Sequence, residues 1–304
     1  MTKYLLAVSG GVDSMVLLDM VATNAGGFRD RHFAGAGWTG DFVVAHYDHG
    51  IRGIESQEDA DFVRDKCRQY GVRLITAQGN LPPDTGEDKA RRARYSFLCQ
   101  VAKDESAGGA ESVYIVTAHH QDDLLETIVM NLIRGTGWRG LAPMSRADVI
   151  RPLIDVTKAD IVRYALEHDL DWREDKTNDS PEYWRNRLRA QVIGRLLTER
   201  NKMLALRHGQ RRLRVEIDNE VTRYIKQRVG CVDNRPVMYR YDLIMLPADV
   251  AIEILRRLTK DWLTRPQLGQ LLLFIKVGKP NKQLSWKRLN VRLDVRRVYF
   301  YPEM

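Results

Sequence analysis

Apolar positions along this chain follow two alternating rhythms. Short runs of strand-forming residues recur at 4–8, 42–45, 73–76 and 112–117, with a briefer one at 149–153. Between them, apolar residues return every three or four positions at 15–25, 57–70, 89–103, 122–134 and 158–168, the spacing of one helix face. Alternating strands and helices predict an α/β fold, a doubly wound parallel sheet with right-handed crossovers. The run from Met15 to Met20 reads as amphipathic, and 26–40 and 82–86 read as loops. From about Leu188 a long basic helical stretch, broken near Gly194 and Gly209, runs to about Arg228. After Gly230 come short alternating segments at 237–241 and 295–301, with helices at 247–260 and 265–276. The expected organisation is a first domain over 1–215, ending in a basic helical linker, and a second, smaller α+β domain over 216–304.

Ligands of such sheets bind beyond the carboxyl ends of the strands, so the segments there carry the chemistry. The first strand runs into Ser9-Gly10-Gly11-Val12-Asp13-Ser14 and then a helix. Adjacent glycines let backbone N–H groups approach an anion, and the helix points its positive dipole end at the same spot. Phosphate or pyrophosphate is the expected guest of Ser9, Gly10, Gly11, Val12 and Ser14. No Gly-Lys-Ser/Thr or Gly-x-Gly-x-x-Gly follows, which excludes the Walker loop and the dinucleotide fingerprint. Asp13 repels such a guest unless a Mg²⁺ ion or an ammonium lies between them. An ordinary capped turn is the alternative.

Three further segments lie at strand ends or on the following helices. His46-Tyr47-Asp48-His49-Gly50-Ile51-Arg52 offers imidazoles and a guanidinium to phosphate oxygens. Arg91 and Arg94 share a helix face and could neutralise pyrophosphate or an RNA backbone. Asp123 and Glu126 share a face at a helix start; they either cap that helix or bind a cation such as an amine.

Composition narrows the class. The 304 residues are 44% apolar, enough for a packed core, and no apolar run reaches the roughly 18 residues that span a bilayer. No signal segment precedes the first strand, so a cytoplasmic location is expected. Cys67, Cys99 and Cys231 are isolated, which argues against a zinc or iron–sulfur site. The net charge is +8. Arg185, Arg189, Arg207, Arg211 and Arg212 crowd one stretch with few acids, suited to a phosphate backbone or to a solvated helix face.

The segment Ser9–Ser14 resembles the PP-loop of the N-type ATP pyrophosphatases. HYDHGIRG, EDKARRARY, AHHQDDLLETIVMNLIRGTG, IRPL and EDKTNDSPEYWRNRLR, in this order, resemble the tRNA(Ile) lysidine synthases, in their short form with one C-terminal domain. That family usually has Asn where this chain has Asp48 and Leu where it has Ile51. The resemblance implies an ATP-dependent carbon–nitrogen ligase with ATP and Mg²⁺ as cofactors. Its partners would be free L-lysine and a tRNA(Ile) with a CAU anticodon, and a homodimer is left open. Lysine would be joined to carbon-2 of the wobble cytosine through an adenylated intermediate. The PP-loop and His46 would bind ATP. Asp13 would act as base, or it or Asp48 would hold Mg²⁺. Asp123 and Glu126 would recognise lysine, and Arg91 and Arg94 would contact phosphate or cytosine. Arg185 and Arg189 would contact the reacting nucleotide, and Arg207, Arg211 and Arg212 the tRNA body, with the small domain over 216–304 as a tRNA-binding domain. A tRNA-thiolating relative would need a cysteine pair.

Overall fold

The computed structural model describes residues 2–33, 42–50, 54–79, 81–82, 85–174, 199–233 and 235–302. The chain divides into two compact units, 1–210 and 211–304.

Five strands build the sheet of the first unit: β1 (Thr2–Ala7), β2 (Phe42–Asp48), β3 (Arg73–Gln78), β4 (Ser112–Thr117) and β5 (Val149–Ile150). Their order is β3-β2-β1-β4-β5, all parallel. Period-two alternation sends Leu6, Val44 and Val116 into one apolar layer and Leu5, Val43 and Ile115 into the other. The first layer is completed by α1 (Val12–Thr23), α3 (Ile54–Gln69) and α6 (Lys158–Glu167), through Leu17, Val63 and Ile161. The second is completed by α4 (Glu87–Ala107), through Leu98 and Val101. α5 (Gln121–Ile133) follows β4. Sheet order reverses at β1, whose neighbours lead away in opposite directions. The crevice beyond β1 and β4 is therefore the place where loops part and a ligand fits.

Several expectations change. Helix α1 is not amphipathic: Met15, Val16, Leu17, Leu18 and Val21 are buried, as are Ser14 and Asp19. The buried Asp19 carboxylate accepts hydrogen bonds from the hydroxyls of Tyr70 and Tyr164, each at 2.7 Å. The loop expected at 26–40 contains a helix, α2 (Phe28–Phe33), because Phe28 and Phe33 are core residues; 34–41 lie outside the described residues. Strand β5 ends before Pro152, which has no N–H to give a ladder. Gly209 does not break the basic stretch. It sits inside one helix, α7 (Arg200–Arg228), where a glycine costs only about 1 kcal/mol relative to alanine.

The second unit is α+β. Its antiparallel sheet has the order β6-β7-β10-β9-β8, formed by β6 (Val229–Val232), β7 (Arg235–Tyr239), β8 (Gln283–Trp286), β9 (Leu289–Leu293) and β10 (Arg297–Pro302). A short helix, α8 (Arg240–Ile244), follows β7. Helices α9 (Ala248–Leu258) and α10 (Arg265–Val277) contribute Leu255 and Leu268 to one core with Met238, Val291 and Phe300.

Candidate active site

The glycine-rich loop is held from within. Ser14 Oγ donates to the Gly11 carbonyl at 2.8 Å and accepts from the N–H groups of Ser9 and Gly10 at 3.2 and 3.1 Å. Its hydroxyl thus helps to set the loop's shape. Gly10 has φ +94°, a conformation that needs glycine, and its carbonyl accepts from the Arg173 N–H at 3.0 Å. Gly11 is unstrained at φ −73°, and a Cβ there would meet only Ser9 Oγ at 3.8 Å. The fold itself therefore does not demand glycine at 11. A ligand lying over the helix end would. The N–H groups of Val12 and Asp13 open the helix and have no intrahelical acceptor.

Asp13 carries the ammonium that the sequence called for. Lys158 Nζ donates to Asp13 Oδ1 at 2.5 Å. Lys158 starts α6, and its backbone N–H donates to Asp122 Oδ2 at 2.9 Å. The other Asp122 oxygen pairs with Arg200. Buried His120 also approaches the Asp13 carboxylate. Its Nδ1 accepts from the Asp122 N–H at 3.2 Å, so the hydrogen is on Nε2. That nitrogen lies 3.5 Å from Asp123 Oδ2 and 3.8 Å from Asp13 Oδ1. Asp13 and Asp123 therefore meet across His120, although 110 positions separate them. No group of three or more His, Cys, Asp or Glu gathers to hold a metal among the described residues.

His119 brings the arginines in. Burial holds its imidazole neutral, pushing its pKa down to about 3, with the guanidiniums of Arg91, Arg151 and Arg94 acting in the same direction and Asp123 opposing them. Arg91 lies over the Tyr95 ring at 5.2 Å, with Arg146 also over that ring at 5.4 Å. Arg151 Nη1 donates to the Met144 and Val149 carbonyls at 2.9 and 3.2 Å. Three guanidiniums thus act on the buried imidazole that follows β4.

Other expected residues stand differently. His46 Nδ1 donates to the Val8 carbonyl at 2.9 Å, and burial lowers its pKa. Its Nε2 is then a bare acceptor, buried with no partner among the described residues. It suits an O–H or N–H donor better than a phosphate oxygen. Asp48 Oδ1 accepts from the Gly50 N–H at 2.7 Å and shapes its turn. Asp123 doubles as a cap, accepting from the His120 N–H at 3.1 Å. Glu126 is 0% exposed and Arg207 is 3% exposed, so neither faces solvent. Arg211 and Arg212 are exposed on α7. Arg52, Arg185 and Arg189 lie outside the described residues. Sequence reasoning missed Lys158, His120 and the pairing of Arg200 with Asp122. The one available signal for Lys158 was the cation that Asp13 requires.

The sequence profile of the PP-loop domain family matches residues 1–196. The chain belongs to the PP-loop family. It is 34% identical over 205 residues to the tRNA(Ile)-lysidine synthase of Solibacter usitatus, covering 66% of this chain and 42% of that one. The enzyme of Chlorobaculum tepidum is 38% identical over 197 residues, 62% and 55% of the two chains. That of Bacillus subtilis is 35% identical over 201 residues, 62% and 39%. The chain thus spans about half the length of the curated relatives it matches. Among solved structures, the U34-tRNA thiolase of Methanococcus maripaludis, determined with its 4Fe–4S cluster, aligns with a TM-score of 0.53 at 17% identity, over 69% of this chain and 72% of that one. That likeness is one of fold. No helix among the described residues is long and apolar enough to cross a membrane.

Proposed function

We propose that this PP-loop protein is a tRNA(Ile)-lysidine synthase, acting in the cytoplasm on a tRNA with a CAU anticodon. The observation that carries the reading is the meeting of Asp13, on the phosphate loop, with Asp123, on the helix after β4, across His120. A nucleotide site and an amine-binding carboxylate would then share one crevice.

The chemistry runs in two displacements. The carbon-2 oxygen of cytosine attacks the α-phosphorus of ATP, the α–β bond breaks, and pyrophosphate leaves. The lysine ε-amine then attacks carbon-2, the carbon–oxygen bond breaks, and AMP leaves with the amine's proton passing to a base. The N–H groups of Gly11, Val12 and Asp13 would hold phosphate oxygens at the helix end. Mg²⁺, bound to ATP, would offset its charge, with Asp13 or Asp48 the nearest carboxylate to assist. Lys158 would stand between Asp13 and the phosphates, and His46 Nε2 would accept from the nucleoside.

Free lysine has a pKa of about 10.4, so deprotonation at neutral pH costs about 4–5 kcal/mol. Asp13 is the proposed base and Asp123 the proposed amine contact. Glu126 would support α5 from beneath, serving lysine recognition through Asp123. Arg91 and Arg94 would contact cytosine or phosphate, Arg185 and Arg189 the reacting nucleotide, and Arg211 and Arg212 the tRNA body. Sulfur transfer is not favoured, because the three cysteines form no sequence pair.

Incubation with ATP, labelled lysine and total tRNA is the test. Label should enter RNA only when all three are present. RNA that stays unlabelled while ATP binds the protein would overturn the assignment.

A further inference from the structure

The sheet of the second unit is covered by its helices on one face. Along β10, Val298 and Phe300 enter the core, so Tyr299 and Tyr301 take the opposite face. Across the ladders, Tyr299 stands opposite Arg292 and Val237, Tyr301 opposite Asn290, and Arg297 opposite Tyr239. Directly opposed residues of an antiparallel pair share a face. That face consequently carries tyrosine and arginine, with Asn290 and the buried Val237 among them. The Arg235 guanidinium carbon lies 4.8 Å from the Tyr301 ring centre, and that of Arg297 lies 5.5 Å from the Tyr239 ring centre. The rings of Tyr299 and Tyr301 are 6.5 Å apart. Arg235, Arg292 and Arg297 are exposed, and Tyr239 is 52% exposed.

One acid, Asp294, stands beside this face and is held in its charged form. Asp294, in the β9–β10 turn, accepts from the N–H groups of Arg296 and Arg297 at 2.7 and 2.6 Å and from the Tyr299 hydroxyl at 3.2 Å. It orders the turn and one ring of this face. The charge of the two units also differs. Residues 211–304 hold 20 Lys and Arg against 10 Asp and Glu, whereas residues 1–210 hold 28 against 30. The chain's positive excess lies entirely in the unit that carries this face.

We propose that this sheet face binds an unpaired segment of RNA. Tyr299, Tyr301 and Tyr239 would stack on bases, while Arg235, Arg292 and Arg297 hold the intervening phosphates. A duplex would draw on the arginines alone, because its base faces are already stacked on each other. Tyr299 and Tyr301 are half-buried and Tyr239 is exposed, and accessible rings beside cations are the combination that an unpaired strand uses and a helix does not. The proposal rests on the reading that the chain acts on RNA, and it adds where and in what form part of that RNA is held.

The experiment uses the full chain and two fluorescein-labelled probes, a twelve-nucleotide oligouridylate and a twelve-base-pair RNA duplex, read by anisotropy. Tyr299→Leu and Tyr301→Leu keep an apolar side chain but remove the ring. Each should weaken oligouridylate binding about five-fold or more and leave duplex binding within about two-fold. The corresponding Tyr→Phe variants should bind as the parent does. Arg292→Gln should lower the log–log salt slope on the single strand by about 0.7. Circular dichroism establishes folding; if a Leu variant unfolds, Arg292→Gln and the Phe variants decide. Wild-type oligouridylate affinity in the Leu variants, or equal losses on both probes, would overturn the stacking face. Lysine incorporation without oligouridylate binding would refute this face and leave the enzymatic reading standing. Oligouridylate binding without lysine incorporation would do the reverse.

Discussion

Lys158 Nζ lies 2.5 Å from Asp13 Oδ1, joining the start of α6 to the phosphate loop. A carboxylate at a helix end that is meant for phosphate is a repulsive element. Lys158 turns it into a neutral pair. Lys158→Met should therefore weaken ATP binding about ten-fold or more, the loss expected of one charge-assisted contact. Asp13→Asn in the same background should recover part of that loss, since the exposed negative charge is gone. Isothermal titration of the two single variants and the double variant checks the coupling. Additive losses would mean that the pair does not act on the nucleotide.

Asp123 and Glu126 should separate. Asp123 is partly accessible and faces His120, whereas Glu126 is fully buried. Asp123→Asn should raise the KM for lysine about ten-fold or more, by loss of a charge-assisted hydrogen bond, with the KM for ATP changed much less. Glu126→Gln should lower the thermal midpoint and leave the lysine KM near its parent value. Steady-state kinetics with a melting curve for each variant tests the distinction. The reverse pattern would assign the amine to Glu126.

The buried Asp19 ties α1 to the turn after α3 and to α6, through Tyr70 and Tyr164. Burial and the adjacent carboxylate raise both phenol pKa values, so both stay protonated as donors. Tyr70→Phe and Tyr164→Phe should each cost about 1–3 kcal/mol, because a buried carboxylate oxygen loses its partner. The double variant should exceed the sum. Urea melts check this, and two neutral substitutions would show that water replaces the hydroxyls.

Stability should fall in acid below about pH 6.5. His119 and His46 both have folded-state pKa values beneath the ordinary 6.5, that of His119 near 3. Between the folded and unfolded values only the unfolded chain takes up these protons, so each group favours unfolding as pH drops. The slope is about 1.4 kcal/mol per pH unit for each histidine held neutral. His119→Gln should flatten the dependence between pH 6.5 and 4 in denaturant titrations. An unchanged slope would show that His119 protonates freely in the folded protein.

The alternating pattern was enough to read the doubly wound sheet, because strand and helix periods differ and Gly10 marks a turn that only glycine makes easily. It also placed the crevice, since β1 and β4 end in polar segments. What escaped it depends on contacts distant in sequence. Lys158 opens an unremarkable helix, and only the fold sets it against Asp13. His120 reads as one of two adjacent histidines until its Nδ1 accepts the Asp122 N–H and turns Nε2 toward the carboxylates. Glu126 shares a helix side with Asp123 in the sequence, and the sequence does not show that it is fully buried. The helix of Phe28–Phe33 was hidden by flanking glycines that dominate local composition.

The most direct measurement is AMP release over many turnovers, with tRNA and lysine each omitted in turn. Sustained AMP and pyrophosphate in equal amounts are expected only with both present, and a single burst of pyrophosphate with tRNA alone. Asp13→Asn should abolish AMP release while tRNA binding persists. Sustained AMP release without lysine, or cleavage of ATP to ADP and phosphate, would contradict a crevice in which adenylation and amine attack follow one another.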